Sequence, residues 1–238
     1  MLHRKHFTLI ELLTVIAIMG VLAAILMPAL SKARRKAKLT SCMNQLRQIA
    51  GLGFAMYMGD NGDHLPLWPS HLFPSYLPDK RTYLCPMDGN DKNTASKDWN
   101  QRPTGDLSGV DSQIKVKSTF DREGSVGVHA NPNTDVEKIS YFYEMSDATC
   151  AWSNHGVTGT WYEVKMAQLK QGDDDNKYQH QDIPWEPSVF PIYRCFWHTP
   201  NPMKASPSNS RDVPIGNISY AGNFFYSRIT WEQGVWRP

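Results

Sequence analysis

Residues 7–30 read FTLIELLTVIAIMGVLAAILMPAL, and this stretch decides how the rest of the chain is arranged. Glu11 is its only charged residue, and the 19 residues from Leu12 to Leu30 carry no charge. An α-helix of that length rises about 29 Å, which matches the hydrocarbon core of a bilayer. The β-branched residues in it show no alternation and no turn signal, so a strand is disfavoured. The sequence therefore predicts one transmembrane helix over about residues 7–30.

Glu11 is the unusual residue of this helix. A carboxylate at the bilayer centre costs about 2.5–3.5 kcal/mol on insertion scales, and less near the membrane edge. Glu11 lies four residues after Phe7, so its cost is moderate. It is either a carboxylate tolerated at the edge or one held for a cationic partner, because charges inside membranes are usually paired.

The residues around Glu11 resemble a known processing segment. A short basic leader precedes His6-Phe7-Thr8-Leu9-Ile10-Glu11, and Pro28 follows 21 residues after Phe7. This pattern resembles the prepilin-type cleavage and methylation segment of type IV pilins and type II secretion pseudopilins. The resemblance implies that prepilin peptidase cuts between His6 and Phe7 and that the new amine of Phe7 is methylated. This chain has His6 where those families usually carry Gly.

The same resemblance implies a structural role without catalysis. Glu11 would attract the N-terminal amine of a neighbouring subunit during assembly, and Pro28 would kink the helix. The expected partners are other pilin or pseudopilin subunits, prepilin peptidase and inner-membrane lipid. The protein would be a single-pass protein of the inner (cytoplasmic) membrane with an extracytoplasmic head, built into a filament of the cell envelope.

The identity of the N-terminal segment and its orientation in the membrane each have an alternative. An ordinary signal peptide would be cleaved near Ser31, but Glu11 interrupts the apolar region, which is also longer than usual. The positive-inside rule places the cation-rich flank at Lys32–Lys38 in the cytoplasm, because only Arg4 and Lys5 precede the helix. The prepilin resemblance implies the opposite orientation, which we adopt.

The basic run Lys32–Lys38 has three interpretations. It is a solvated helix face, a contact with anionic lipid headgroups, or a DNA-binding surface. No aromatic residue lies within the run, and the formal net charge of the whole chain is only +2, so we expect no nucleic-acid partner.

Beyond the membrane segment, apolar residues continue at spacings of three and four up to Tyr57. They form one face of an amphipathic helix, so we predict a single helix over 7–58, ended by the turn-forming residues after Gly59. Residues 1–6 would be the leader and 59–238 a β-rich head. The fold class is α+β, with the long helix packed on an antiparallel sheet that carries long loops. The predicted strands are Thr82–Cys85, Gly124–His129, Ile139–Glu144, Thr149–Ser153, Thr160–Val164, Phe190–Phe196, Ile218–Ser227 and Ile229–Trp231, with a short helix over Val164–Gln171.

The cysteines and tryptophans of the head suggest further features. An extracytoplasmic head permits disulfides, four cysteines allow three full pairings, and Cys85 with Cys195 is the favoured candidate. All eight tryptophans follow residue 67. Core packing is the default role for them. If they lie exposed in loops, the alternative function is an envelope-anchored protein that binds glycan or another ligand and uses the helix as a tether.

Catalytic and metal motifs are scarce. The sequence lacks HExxH, CxxC, GxSxG and phosphate-loop patterns, so no enzyme class is supported. Three acidic loops supply oxygen ligands of the type that calcium prefers, although none has the full calcium-loop spacing. Solvated turns are the favoured reading, and we expect no cofactor beyond this calcium possibility. The calcium candidates are Asp60, Asp63, Asp88, Asp91, Asp173 and Asp175.

Overall fold

The computed structural model describes most of the chain. The chain divides into two compact units, residues 1–40 and residues 41–238. The described residues are 9–87, 126–136, 139–150, 152–175, 180–196, 215–228 and 231–233.

A long helical segment is the first element, as the sequence predicts. Helix α1 covers Leu9–Arg47, a π-helical segment covers Gln48–Gly53, and helix α2 covers Phe54–Asp60. The helical segment therefore ends two residues beyond the predicted Met58. Asn61 ends it, because its side-chain amide donates to the Tyr57 carbonyl at 2.8 Å and its backbone N–H to the Met58 carbonyl.

An antiparallel sheet of four strands confirms the predicted α+β fold. Its order is β1 (Phe142–Tyr143), β2 (Pro191–Cys195), β3 (Ile215–Ser219) and β4 (Phe224–Ser227). Each strand pairs with the next in an antiparallel register, such as Tyr143 with Tyr193.

The two faces of the sheet bury two apolar clusters. The first cluster joins Leu46 and Phe54 of the helical segment to Tyr143 and Tyr193, and the Phe54 ring lies 5.5 Å from Tyr143 and 6.0 Å from Tyr193. The second cluster includes Phe196 next to the end of β2. The last turns of the helical segment therefore pack on one face of the sheet, as the amphipathic pattern predicts.

Helix α3 (Trp161–Gln171) occupies a segment where Thr160–Val164 was predicted to be a strand, and that prediction is wrong. The helix begins three residues earlier than the predicted helix and ends at the predicted residue. Thr160 and Glu163 form a capping box, in which the Thr160 hydroxyl accepts from the Glu163 backbone N–H at 3.2 Å and the Glu163 carboxylate accepts from the Thr160 N–H at 2.7 Å. This exchange satisfies N–H groups that would otherwise lack partners at the helix start.

Other predicted strands also differ from the structure. Thr82–Cys85 gives way to a 3₁₀ turn over Lys80–Tyr83, because the Asp79 carboxylate accepts the Arg81 N–H at its start. Ile218–Ser227 is split by a turn at Gly222, whose φ of +82° suits glycine, into the end of β3 and β4.

The remaining predicted strands are short or partly outside the described residues. Thr149 forms only an isolated bridge with Thr160, and the described part of Gly124–His129 is irregular. Trp231 starts a 3₁₀ turn that extends to Gln233, while Ile229 lies outside the described residues.

Candidate functional site

The N-terminal apolar surface is the first candidate site, and we define it as the side chains of residues 9–30. Every residue from Leu9 to Lys38 is exposed. The segment that starts at Leu9 is long and apolar enough to cross a membrane, and its most apolar window is entirely unburied. A helix that is apolar on all sides is stable when lipid or other helices cover it.

Glu11 and Pro28 both lie within this surface. Glu11 is exposed in the first turns of α1, and its backbone carbonyl accepts from the Thr14 hydroxyl at 3.0 Å. Pro28 lies inside α1, where it lacks the N–H that would continue the hydrogen-bond ladder. The Ser31 hydroxyl donates to the Pro28 carbonyl at 2.9 Å. The processing residues His6 and Phe7 lie outside the described residues.

A buried charge cluster in the head is the second candidate, and we define it as Glu144, Lys165 and Arg194. Glu144 Oε1 lies 3.0 Å from Arg194 Nη1, and Glu144 Oε2 lies 3.4 Å from Lys165 Nζ. Each of the three side chains is only 3% exposed. Nothing in the sequence pattern brings these three residues together, although a Glu and an Arg within two apolar strand candidates are a signal for buried partners.

Hydrogen bonds extend the cluster across the sheet. Arg194 on β2 donates through Nε to Asn217 Oδ1 on β3 at 3.0 Å, and Asn217 donates to the Ser227 hydroxyl on β4 at 2.9 Å. Glu144 follows β1 directly. A polar row therefore runs from the end of β1 across β2, β3 and β4, which satisfies groups that would be costly to bury alone.

The Lys165 ammonium donates to Gln168 Oε1 at 3.0 Å, and four aromatic rings also lie near it. The Nζ atom lies 5.0 Å from the Trp231 ring centroid, and 5.4 Å to 5.9 Å from the rings of Trp152, Trp161 and Phe190. Such contacts stabilise a cation by about 0.5–2 kcal/mol each. Four of the five described tryptophans are buried, which supports the core role predicted for this residue type. Trp99, Trp197 and Trp236 lie outside the described residues.

Glu232 is a fourth ionisable group near this cluster. Burial raises the pKa of Glu232 from 4.5 to about 7, although the positive charge of Lys165 lowers it.

The side chains of Glu144, Lys165 and Arg194 are closed to solvent, so a soluble substrate cannot reach them. The arrangement holds the sheet and α3 together rather than presenting reactive groups.

An exposed histidine lies beside a buried aspartate. His129 Nδ1 lies 2.6 Å from Asp147 Oδ1, and Asp147 Oδ2 accepts the backbone N–H groups of His129 and Ala130. The hydrogen bond with Asp147 raises the pKa of the His129 ring. Asp147 thus orders the loop that carries His129, a pair that no motif in the sequence indicates.

Three cysteines of the first apolar cluster meet in the core. Cys195 Sγ lies 3.4 Å from Cys42 Sγ and 3.6 Å from Cys85 Sγ. The structure therefore brings the predicted pair Cys85 and Cys195 together and adds Cys42, which sequence reasoning had no means to place. Cys150 belongs to the second cluster.

The calcium candidates do not share one site among the described residues. Asp173 is buried, and its Oδ1 accepts from Gln168 Nε2 at 2.7 Å and from Trp185 Nε1 at 3.4 Å. Asp60 accepts from the Tyr76 hydroxyl at 3.1 Å. Asp63 and Asp175 are exposed, and within the described ranges the acids of these loops form no group of three ligands. Asp88 and Asp91 lie outside the described residues. Calcium binding stays a prediction.

A cleft of about 380 Å³ opens where the end of the helical segment meets the turn between β3 and β4. Its lining is mainly apolar, with Phe54, Met58 and Leu65 on one side and Tyr220 and neighbouring small residues on the other, and it also includes Asp63.

Comparisons of the chain with protein-family models, with curated proteins and with solved structures each gave no match.

Proposed function

We propose that this chain is a structural, pilin-like subunit of the type II secretion pseudopilus or type IV pilus kind. Its apolar N-terminal helix anchors it in the inner membrane, and the same helix assembles it with other subunits. The observation that carries the proposal is an exposed apolar surface over residues 9–30 with Glu11 as the single charge in it. The Phe-Thr-Leu-Ile-Glu pattern at residues 7–11 resembles the prepilin segment, and this resemblance supports a pilin-like subunit over other membrane-anchored proteins.

The apolar surface needs a covering of lipid or protein. Its large side chains are strongly exposed, as Leu9 at 81% and Met27 at 69% illustrate. Each fully buried large apolar side chain contributes about 1.5–3 kcal/mol. A bilayer covers this surface before assembly, and the helices of neighbouring subunits cover it afterwards.

Glu11 supplies the specificity that apolar contacts lack. A carboxylate in hydrocarbon is stabilised by a cation in hydrocarbon, and the α-amine of a processed subunit provides one at the same depth. Processing by prepilin peptidase before Phe7 creates that amine. Assembly through Glu11 therefore requires the cut, which explains why both features occur in the same short segment.

The head is consistent with a scaffold. Its charge cluster is closed to solvent and links β2 and the end of β1 to α3, and four of its five described tryptophans pack into the core. These features stabilise a folded domain. We propose a structural role for it, with the head on the extracytoplasmic side.

Substitution of Glu11 tests the assembly step. Glu11→Gln keeps the size of the side chain and removes its charge, so the variant should insert normally but enter filaments at least about tenfold less than the wild type. A tenfold loss corresponds to only about 1.4 kcal/mol per contact. Glu11→Asp is the matched control, because it keeps the charge and should retain part of the incorporation.

Cells that carry a prepilin peptidase and co-express tagged wild-type and variant chains provide the assay. Membrane and sheared filament fractions are quantified separately. Equal incorporation of Glu11→Gln and wild type would contradict the proposed pairing, and loss of the Glu11→Gln chain from the membrane fraction would show that Glu11 acts in insertion instead.

A further inference from the structure

The three-thiol cluster, defined as Cys42, Cys85 and Cys195, joins separate parts of the head. Cys42 lies in the last turns of α1, Cys85 follows the 3₁₀ turn at Lys80–Tyr83, and Cys195 ends β2. All three are buried within the first apolar cluster, and their sulfur atoms lie within 4.8 Å of one another. Cys195 is the shared member of both short sulfur–sulfur distances, 3.4 Å and 3.6 Å.

Two kinds of chemistry use such a cluster, a soft metal ion or a disulfide. Thiolates around zinc, with Zn–S bonds of about 2.3 Å, lie about 3.8 Å apart, so these sulfur distances alone do not separate the two kinds of chemistry. Among the described residues no His, Asp or Glu joins the three cysteines as a fourth ligand. Three thiolates with one divalent ion would also leave a net negative charge in an apolar core, which is costly. A disulfide is neutral and apolar, and it suits these surroundings.

We propose that Cys42 and Cys195 form a disulfide that links helix α1 to strand β2, with Cys85 left as a buried thiol. The two thiols lose two protons and two electrons as the S–S bond forms. A disulfide-form oxidoreductase of the envelope, or oxidised glutathione in vitro, accepts them and is reduced to two thiols. The sulfur atoms need to approach by about 1.4 Å to reach the bonded distance.

The sulfur–sulfur distances favour this pairing over Cys85 with Cys195. Cys85 Sγ lies 3.6 Å from Cys195 Sγ. Cys42 Sγ makes the shorter contact with Cys195. The sequence-based pairing of Cys85 with Cys195 stays a prediction, and the pairing proposed here would instead tie the helical segment to the sheet.

Burial determines when the bond forms. Burial raises the pKa of the Cys195 thiol well above its usual value, and thiolates rather than thiols react with oxidants. Oxidation of the folded head is therefore slow, and the bond forms while the chain folds. In a pilin-like subunit, the bond would transmit a pull on the helix directly to β2. This inference rests on the proposed extracytoplasmic position of the head, where disulfides persist.

Mass spectrometry of the full chain tests the pairing. The protein is extracted from the envelope into detergent, its free thiols are alkylated during denaturation, and it is digested at acidic pH. We expect a linked peptide pair that contains Cys42 and Cys195, with alkylated Cys85 and Cys150. The matched variants Cys85→Ser and Cys150→Ser should keep the linked pair, and Cys195→Ser should lose it.

Three results would overturn the pairing. The first is a linked peptide pair of Cys85 with Cys195. The second is a zinc or copper ion that the wild type binds and Cys195→Ser does not. The third is full alkylation of all four cysteines even after refolding with oxidised and reduced glutathione. A linked Cys42–Cys195 pair after refolding, combined with free thiols in protein taken from cells, would support the pairing and contradict the proposed location instead.

Discussion

Glu144→Gln removes the negative charge that lies between Lys165 and Arg194. At an effective dielectric constant of about 20, unit charges about 3 Å apart attract by about 5 kcal/mol, and desolvation offsets much of this. Removal of one partner from a buried ionic group leaves its cations uncompensated and costs about 3–5 kcal/mol. In a domain of this size that loss lowers Tm by about 10 °C.

Thermal unfolding of the full chain in detergent, followed by tryptophan fluorescence, measures this shift. Trp152, Trp161 and Trp231 lie near Lys165, so part of the fluorescence signal comes from the cluster. Asp79→Asn is the control, because the Asp79–Arg81 pair is similarly close at 2.9 Å but exposed to solvent, and we expect no measurable shift. Equal Tm values for Glu144→Gln and the wild type would refute the reasoning that the cluster stabilises the head.

Two further predictions concern the same domain. The pKa of Glu232 is raised to about 7, so the folded state binds a proton more tightly than the unfolded state. The free energy of unfolding should therefore fall as pH rises from 4.5 through 7, by at most about 3 kcal/mol. Denaturant unfolding at several pH values checks this, and Glu232→Gln should remove that part of the slope; an unchanged slope would contradict it. Phe54→Ala should cost about 3–5 kcal/mol because the ring is buried between Tyr143 and Tyr193. Leu52→Ala, two residues away and 55% exposed, should cost much less, and similar losses would show that the helix does not pack as described.

Periodic patterns in the sequence were sufficient for the large elements. The uncharged run and the apolar spacing after it predicted the helical segment within two residues of its observed end. The apolar segment Phe190–Phe196 predicted β2, which covers Pro191–Cys195. In both cases the apolar pattern was sufficient to predict the type of element.

Short elements depended on local hydrogen bonds that periodicity does not report. The β-branched and aromatic residues of Thr160–Val164 favoured a strand, but the capping box formed by Thr160 and Glu163 started a helix instead. The Thr-x-x-Glu spacing was a readable signal for it. A turn at Gly222 likewise divided a segment that sequence analysis treated as one strand.

Contacts between distant residues could not be predicted from one sequence. Cys42 and Cys195 are 153 residues apart along the chain, and nothing local indicates that they meet. The same holds for Glu144 and Arg194, 50 residues apart, although a charge inside an apolar strand does indicate a buried partner. The sequence indicated that such groups need partners, while the fold determined which partners they have.

The N-terminal peptide of the protein from its native envelope tests the central proposal most directly. Tandem mass spectrometry identifies both the first residue and any modification of its amine. The pilin-like account predicts a chain that begins at N-methylated Phe7 and keeps the apolar helix. A chain that still begins at Met1, or one that begins near Ser31 after removal of that helix, would contradict it.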